Sequence, residues 1–258
     1  MSELIFEQNE TVGILRLNRP ERRNALNRTI LEAITEKVRA LADDRSVRVL
    51  VITGSGGQAF CAGADLKERR GMSPQEVEAF IPLIRDTMTA VANFPRPSIA
   101  AIDGVALGGG LELALGCDLR VAGRGATLGL PEVSLAIIPG AGGTQRLPRL
   151  IGLGHARDLI LSGRRIDVDE ALSMGLINRI APAGGALETA LEWAQQIARN
   201  GPLALEAAKD ALDHGLHLSL ADGLDHELAC YNRIIPTEDR LEALEAFAQK
   251  RSPQFQGK

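Results

Sequence analysis

The sequence predicts an α/β fold, a layered core of largely parallel strands followed by a helical region. Three observations carry that expectation. Short β-branched runs alternate with amphipathic stretches, several of those runs end in glycine-bearing loops, and after about residue 142 the strand signal nearly disappears while helical spacing continues. At 258 residues the chain can form one large domain, or a core domain with a smaller appendage, and can bury a sizeable core.

The elements follow in order. "LIFEQ" (4–8) and "TVGILRLN" (11–18) read as paired strands around a polar Asn-Glu turn. Asn27 is placed to cap a helix in which Ile30, Leu31, Ile34, Val38 and Leu41 recur at helical spacing. "VRVLVIT" (47–53) is a buried strand running into "GSGG". "SPQE" (73–76) is a capping box with Pro74 at the first helical position, opening a helix towards Asn93 in which Pro82 predicts a kink. "SIAAID" (98–103) and "LRVAG" (119–123) are two more buried strands. "DVDE" (167–170) is a second capping box, its helix ended by Gly175, and further helices are expected over 186–199, 202–214, 219–231 and 237–250.

Composition narrows the function classes. With 29 Lys+Arg against 33 Asp+Glu the chain carries no basic footprint for nucleic acid. No apolar run reaches the roughly 18 residues a membrane helix needs. "MSELIFEQNE" lacks the basic and apolar regions of a signal peptide. Cys61, Cys117 and Cys230 are far apart and show no metal or disulfide spacing, which suits a reducing compartment. A cytoplasmic protein is expected.

The chemistry concentrates in "GVALGGGLELALGCD" (104–118), where Glu112 stands inside an apolar run behind three glycines. A dinucleotide-type GxGxxG fails because Leu113 occupies the last position, and a P-loop fails because Gly110 stands where its lysine belongs. Two readings remain open for the glycines. They allow tight strand–helix packing, or they present unpaired helix N-terminal amides to a developing oxyanion. "FCAGADL" (60–66) is a second glycine turn able to offer an amide from Ala62 or Gly63, and "GLPEVSLAIIPGAGG" (129–143) places Glu132 among Leu130, Val133 and Leu135. Two carboxylates near two oxyanion donors form a working kit for proton transfer beside a carbonyl.

These segments resemble the crotonase (enoyl-CoA hydratase/isomerase) superfamily over nearly the whole chain. The likeness runs through "RPERRNALN" (19–27), "FCAGADLKE" (60–68), "AIDGVALGGGLELALGCDLRVA" (101–122), "GLPEVSLAIIPGAGGTQRLPRLIG" (129–152), "ALSMGLINRI" (171–180) and "AFAQKRSPQFQGK" (246–258). "FCAGADLKER", "GGGLELAL", "LAIIPG" and "ACYNRIIPTEDRLEAL" are most similar to the AU-RNA-binding methylglutaconyl-CoA hydratase branch. The resemblance implies a spiral of ββα units over residues 1–195 and a helical oligomerisation region over 196–258, assembled as trimers that pair into hexamers. It implies Glu112 and Glu132 as catalytic glutamates and the amides of Ala62 and Gly109 as the oxyanion hole. Coenzyme A contacts are implied at Arg22, Arg23, Ala25, Gly63, Ala64, Asp65, Leu66 and Lys67, with no metal or cofactor beyond the acyl-CoA substrate. The implied reaction is addition of water to a 2-enoyl-CoA, either 3-methylglutaconyl-CoA of leucine degradation or a short-chain enoyl-CoA of fatty acid metabolism. Double-bond isomerisation, or another acyl-CoA lyase reaction of the same superfamily, is the alternative.

Other classes fit less well. The stretch "NRTILEAITEKVRALADD" (27–44) mixes Arg28, Lys37 and Arg39 with Glu32, Glu36, Asp43 and Asp44, which argues against RNA binding through phosphates. His155, His214, His217 and His226 all lie in the second half, away from the glycine motifs. The last three read as partly exposed helix residues rather than metal ligands. Cys61 and Cys117 read as packing residues, and Trp193 as a core residue.

Overall fold

The computed structural model describes residues 2–258. The chain opens with β1 (Leu4–Asn9) and β2 (Val12–Leu17), paired antiparallel across a turn where Glu10 takes a φ of 51°. α1 (Arg28–Asp43) follows, its first turn capped by Asn27, which accepts the Ile30 N–H at 2.9 Å. It buries Ile30, Leu31, Ile34, Val38 and Leu41, the stripe its periodicity predicts.

A repeating unit then takes over. β3 (Val49–Gly54) leads to β4 (Ala59–Cys61), α2 (Leu66–Arg70) and α3 (Pro74–Ala92). β5 (Ser98–Ile102) leads to β6 (Val105–Leu107) and α4 (Gly109–Gly116). β7 (Leu119–Gly123) leads to β8 (Thr127–Gly129), a 3-10 turn at Glu132–Leu135 and α5 (Gly143–Ser162). The first strand of each unit joins a six-stranded sheet and the second a four-stranded one, so the chain winds as a spiral of ββα turns. β9 (Arg165–Ile166), α6 (Val168–Ser173), β10 (Arg179–Ala181) and α7 (Ala186–Ala198) close the spiral. The larger sheet runs β1-β2-β3-β5-β7-β10 and is parallel from β2 onward; the smaller runs β4-β6-β8-β9.

β3 and β5 are buried on both faces, as their unbroken apolar runs require. One face packs on the main core. The other meets α7, whose Ala186, Ala190, Ala194 and Ala198 form a small-residue stripe against Val12, Val49, Val51 and Ile99. Trp193 lies half-buried at the edge of this contact with the Arg179 guanidinium 3.8 Å from its ring centre, rather than deep in the core.

Three helices complete the chain: α8 (Pro202–Gly215), α9 (Leu220–Ile234) and α10 (Glu238–Gln249). Lys209 on α8 pairs with Asp118, whose carboxylate also accepts the Ser98 N–H at 2.7 Å. The final residues return to Asp239, which accepts the amides of Gln256 and Gly257 at 2.6 and 2.8 Å. Among the described residues no helix is long and apolar enough to cross a membrane.

Two local expectations change. α3 continues through Pro82, and the break in helical backbone falls instead at Gly152 of α5 (φ 79°, ψ 158°). Asp167 caps α6 through the Glu170 amide, but Glu170 does not close the box, because its carboxylate is taken by Arg164 at 2.6 and 3.0 Å.

Candidate active site

The glycine run packs tightly and also leaves an amide unpaired. Gly110 lies so close to β4 that a Cβ there would sit 2.0 Å from the Cys61 carbonyl oxygen, so the packing requirement is real. Gly108 holds φ 53° and ψ −126°, a conformation that favours glycine, and a Cβ there would meet Glu132 Oε1 at 2.8 Å. α4 therefore starts abruptly, with the Gly109 N–H at its positive end and no acceptor for it among the described residues.

The second amide is not the expected one. The Ala62 N–H donates to the Arg23 carbonyl at 3.0 Å and is spent on holding the loop. Two residues on, the Leu26 N–H donates to Gly63 O and the Asp65 N–H to Leu26 O, both at 2.8 Å. The Ala64 N–H is left without an acceptor among the described residues. A Cβ built on Gly109 would lie 3.6 Å from Ala64 N, and one built on Gly63 would lie 3.5 Å from Gly109 N. The paired donors are thus Ala64 and Gly109, and Ala62 drops out of the pair.

Glu112 and Glu132 line one cavity of about 110 Å³ with these amides. Glu112 sits on the first turn of α4, and its Oε1 accepts the Ala141 and Gly143 amides, each at 2.8 Å. Burial raises its pKa, opposed by those two hydrogen bonds and by Arg146. Glu132 opens the 3-10 turn after β8, and its Oε2 is buried with no hydrogen-bond partner among the described residues. Burial, reinforced by the charge of Glu112, pushes its pKa up to about 7. One carboxylate is therefore oriented by backbone dipoles, while the other holds or releases a proton near neutrality. Apolar side chains enclose them: Leu66 of α2 with Ile81 and Ile84 of α3, and Leu135 of the 3-10 turn with Ile137 and Ile138 just after it.

Residues 7–258 match the enoyl-CoA hydratase/isomerase family. The chain belongs to that family. It is 49% identical over 247 residues to a probable mitochondrial enoyl-CoA hydratase 2 of Arabidopsis thaliana, covering 95% of this chain and 82% of the plant protein. It is 47% identical to the human mitochondrial methylglutaconyl-CoA hydratase, covering 97% of this chain and 75% of the human one. The crystal structure of an enoyl-CoA hydratase from Bacillus anthracis superposes with a TM-score of 0.98 at 46% identity, covering 99% of this chain and all of that one.

In this enoyl-CoA hydratase/isomerase member, the segments expected to meet coenzyme A adjoin one another. The parallel bridge between Leu26 and Ala64 lays residues 22–26 along 62–65. Arg22, Arg23, Leu66 and Lys67 are exposed, whereas Ala25 is half-buried and its carbonyl accepts from Arg19 at 2.5 Å. The Asp65 side chain is occupied internally: it pairs with Arg19 at 3.0 Å and caps α2 through Lys67 N and Glu68 N. Burial acts against its charge, but Arg19 and the two amides outweigh burial and hold its pKa below the usual value. Cys61 and Cys117 are buried, with thiols pushed up to about 12 by desolvation, so neither is poised as a nucleophile. Among the described residues no histidine lines the cavity. Sequence reasoning missed the amides of Ala141 and Gly143 as the seat of Glu112, although both stand in the quoted "PGAGG". It also missed Arg69, the cationic side chain in the cavity lining.

Proposed function

We propose that the chain hydrates a 2-enoyl-CoA thioester, with Glu112 and Glu132 exchanging protons with water and substrate while the Ala64 and Gly109 amides hold the thioester oxygen. The observation that carries this reading is the convergence of both carboxylates and both unpaired amides on one apolar cavity. As water attacks C3, negative charge moves onto the thioester oxygen. Two fixed N–H donors stabilise that charge, and removing one such donor costs on the order of 10²–10³ in rate. Glu112, its Oε1 tethered, keeps its other oxygen for the attacking water. Glu132, near half-protonated at neutrality, supplies the proton that C2 takes up. These groups complete the reaction without a metal or redox step.

For the substrate, the reading is 3-methylglutaconyl-CoA, whose distal carboxylate needs a cationic partner in the acyl pocket. Arg69 of α2 is half-buried, lines the cavity and has no carboxylate partner among the described residues. A human relative carries the name methylglutaconyl-CoA hydratase. A comparison of kcat/KM on 3-methylglutaconyl-CoA, crotonyl-CoA and longer unbranched enoyl-CoAs tests both levels. Arg69→Gln is expected to lower kcat/KM for the acidic substrate by about 10–100-fold, the worth of a charge-assisted hydrogen bond, and to leave crotonyl-CoA within about threefold. Preference for unbranched chains together with an inert Arg69 would leave a short-chain hydratase. Isomerisation without hydration on any of them would remove the hydratase itself.

The helices α8 to α10 are assigned to self-association as a trimer or a pair of trimers. Leu220, Leu224, Leu228 and Tyr231 recur along α9 with exposures from 54% to 81%, a stripe that a second copy would cover. Light scattering after size exclusion reads the state directly; a monomer at micromolar concentration would refute it.

A further inference from the structure

We propose that Asp210, His214, His226 and Cys230 form a binding site for a zinc-class divalent transition-metal ion that pins α8 to α9. None of these four residues lines the catalytic cavity. They come as two pairs spaced one helical turn apart, Asp210 with His214 on α8 and His226 with Cys230 on α9. The helices are joined by four residues and run antiparallel. Their close approach at Gly215 and Gly223 (a Cβ on Gly223 would lie 3.1 Å from Gly215 O) brings the two pairs face to face.

Distances between the prospective ligand atoms set the case. His214 Nδ1 lies 2.8 Å and His226 Nε2 3.1 Å from Asp210 Oδ1, while Cys230 Sγ lies 3.6 Å from His226 Nε2. One atom each of Asp210, His214 and His226 fall within 4.8 Å of one another. In a tetrahedral zinc site, bonds of about 2.0–2.1 Å to N or O and about 2.3 Å to S put neighbouring ligands about 3.4 Å apart, and about 3.6 Å for N and S. The Cys230–His226 separation already matches, and the Asp–His separations need about 0.3–0.6 Å of opening; Cys230 lies outside the three-atom group and becomes the fourth ligand by a swing of its side chain of about 1 Å or more. Nitrogen, oxygen and sulfur in this mix suit zinc over magnesium or calcium.

The surroundings suit a ligand set too. Arg233 pairs with Asp210 Oδ2 and leaves Oδ1 to the imidazoles, the arrangement in which an outer cation orients a ligating carboxylate. Cys230 is buried, with its Sγ 3.1 Å from Arg233; on binding, the thiol proton passes to solvent. His217, although close in sequence, is not part of the three-residue group, and Cys230 adjoins that group through its contact with His226.

Cobalt(II) is the probe. Added to the chelator-treated full-length protein, it is expected to bind at one equivalent per chain, with the visible bands of a tetrahedral ion and a near-ultraviolet thiolate-to-cobalt band. Cys230→Ser removes the near-ultraviolet band, and His214→Ala with His226→Ala removes binding, while hydration of enoyl-CoA is unchanged in each. With zinc a hundredfold above its Kd the parent's Tm rises by about 5–10 °C, and that of the double variant does not. Absence of saturable cobalt uptake, or uptake undiminished in the folded double variant, would reduce the quartet to a hydrogen-bonded His–Asp–His network and overturn the proposal. Should the double variant not fold, the Cys230→Ser spectrum decides alone, because a serine there keeps the packing.

Discussion

Glu132→Gln is expected to stabilise the protein while disabling it, with a stabilisation that depends on pH in a defined way. The folded chain raises the Glu132 pKa from 4.5 to about 7, chiefly through burial. Because the folded pKa lies above the unfolded one, the folded state binds the proton more tightly. The carboxyl is harmless to stability below about pH 4.5 and becomes a liability as pH rises towards 7. Two and a half units at 1.36 kcal/mol each give about 3 kcal/mol above neutrality, an upper figure for a group buried to this degree. Glutamine has nearly the same shape, stays neutral throughout, and leaves the same oxygen-side vacancy in hydrogen bonding, so the difference isolates the charge. For a chain of this size about 3 kcal/mol corresponds to roughly 6–12 °C in Tm. Calorimetry of parent and variant from pH 5 to pH 8 reads the gap, which should open through that range and narrow in a Glu112→Gln background, where the second charge is gone. A gap that stays flat with pH would refute the raised pKa and the proton-donor role built on it.

Three further expectations are independent of that one. Glu112→Gln keeps an oxygen for the Ala141 and Gly143 amides, so KM should hold and Tm should not fall while kcat drops by about 10²–10⁴; a loss confined to KM would count against it. Gly110→Ala forces a methyl to 2.0 Å from the Cys61 carbonyl, and the displacement of α4 should reduce both Tm and kcat, as thermal melts and steady-state rates will show. Asp65→Ala strips the α2 cap and leaves Arg19 half-paired, since Arg19 still has Glu3 at 3.0 Å; a loss of about 2–4 kcal/mol by denaturant unfolding is expected, with a raised KM for CoA thioesters.

Long, strongly periodic elements were legible in the residues. The stripe of α1, the capped start of α3 and the four last helices follow from spacing and cap chemistry. β4, β6, β8 and β9 were not legible, because strands of two or three residues are too short to show a period, and they owe their pairing to the sheet rather than to propensity. The same limit explains Ala62. In the 60–65 loop, which of two alanines turns its N–H inward is settled by hydrogen bonds to the distant residues Arg23 and Leu26, and nothing local distinguishes them. Glu112 and Glu132 stood out because charge inside apolar sequence is costly; their backbone partners did not, since every residue carries an amide.

The seating of Glu112 has a consequence for how such a site can diversify. Its carboxylate is fixed by the peptide groups of Ala141 and Gly143, and the paired donors facing it are peptide groups of Ala64 and Gly109. Side-chain replacement does not delete a peptide N–H unless proline is introduced. The proton-handling and charge-holding parts are thereby insulated from most point mutations, while Arg69, Ile81 and Leu135 around them are free to vary. A scaffold wired in this manner can change which acyl group it accepts one residue at a time, keeping its reactive geometry at every step.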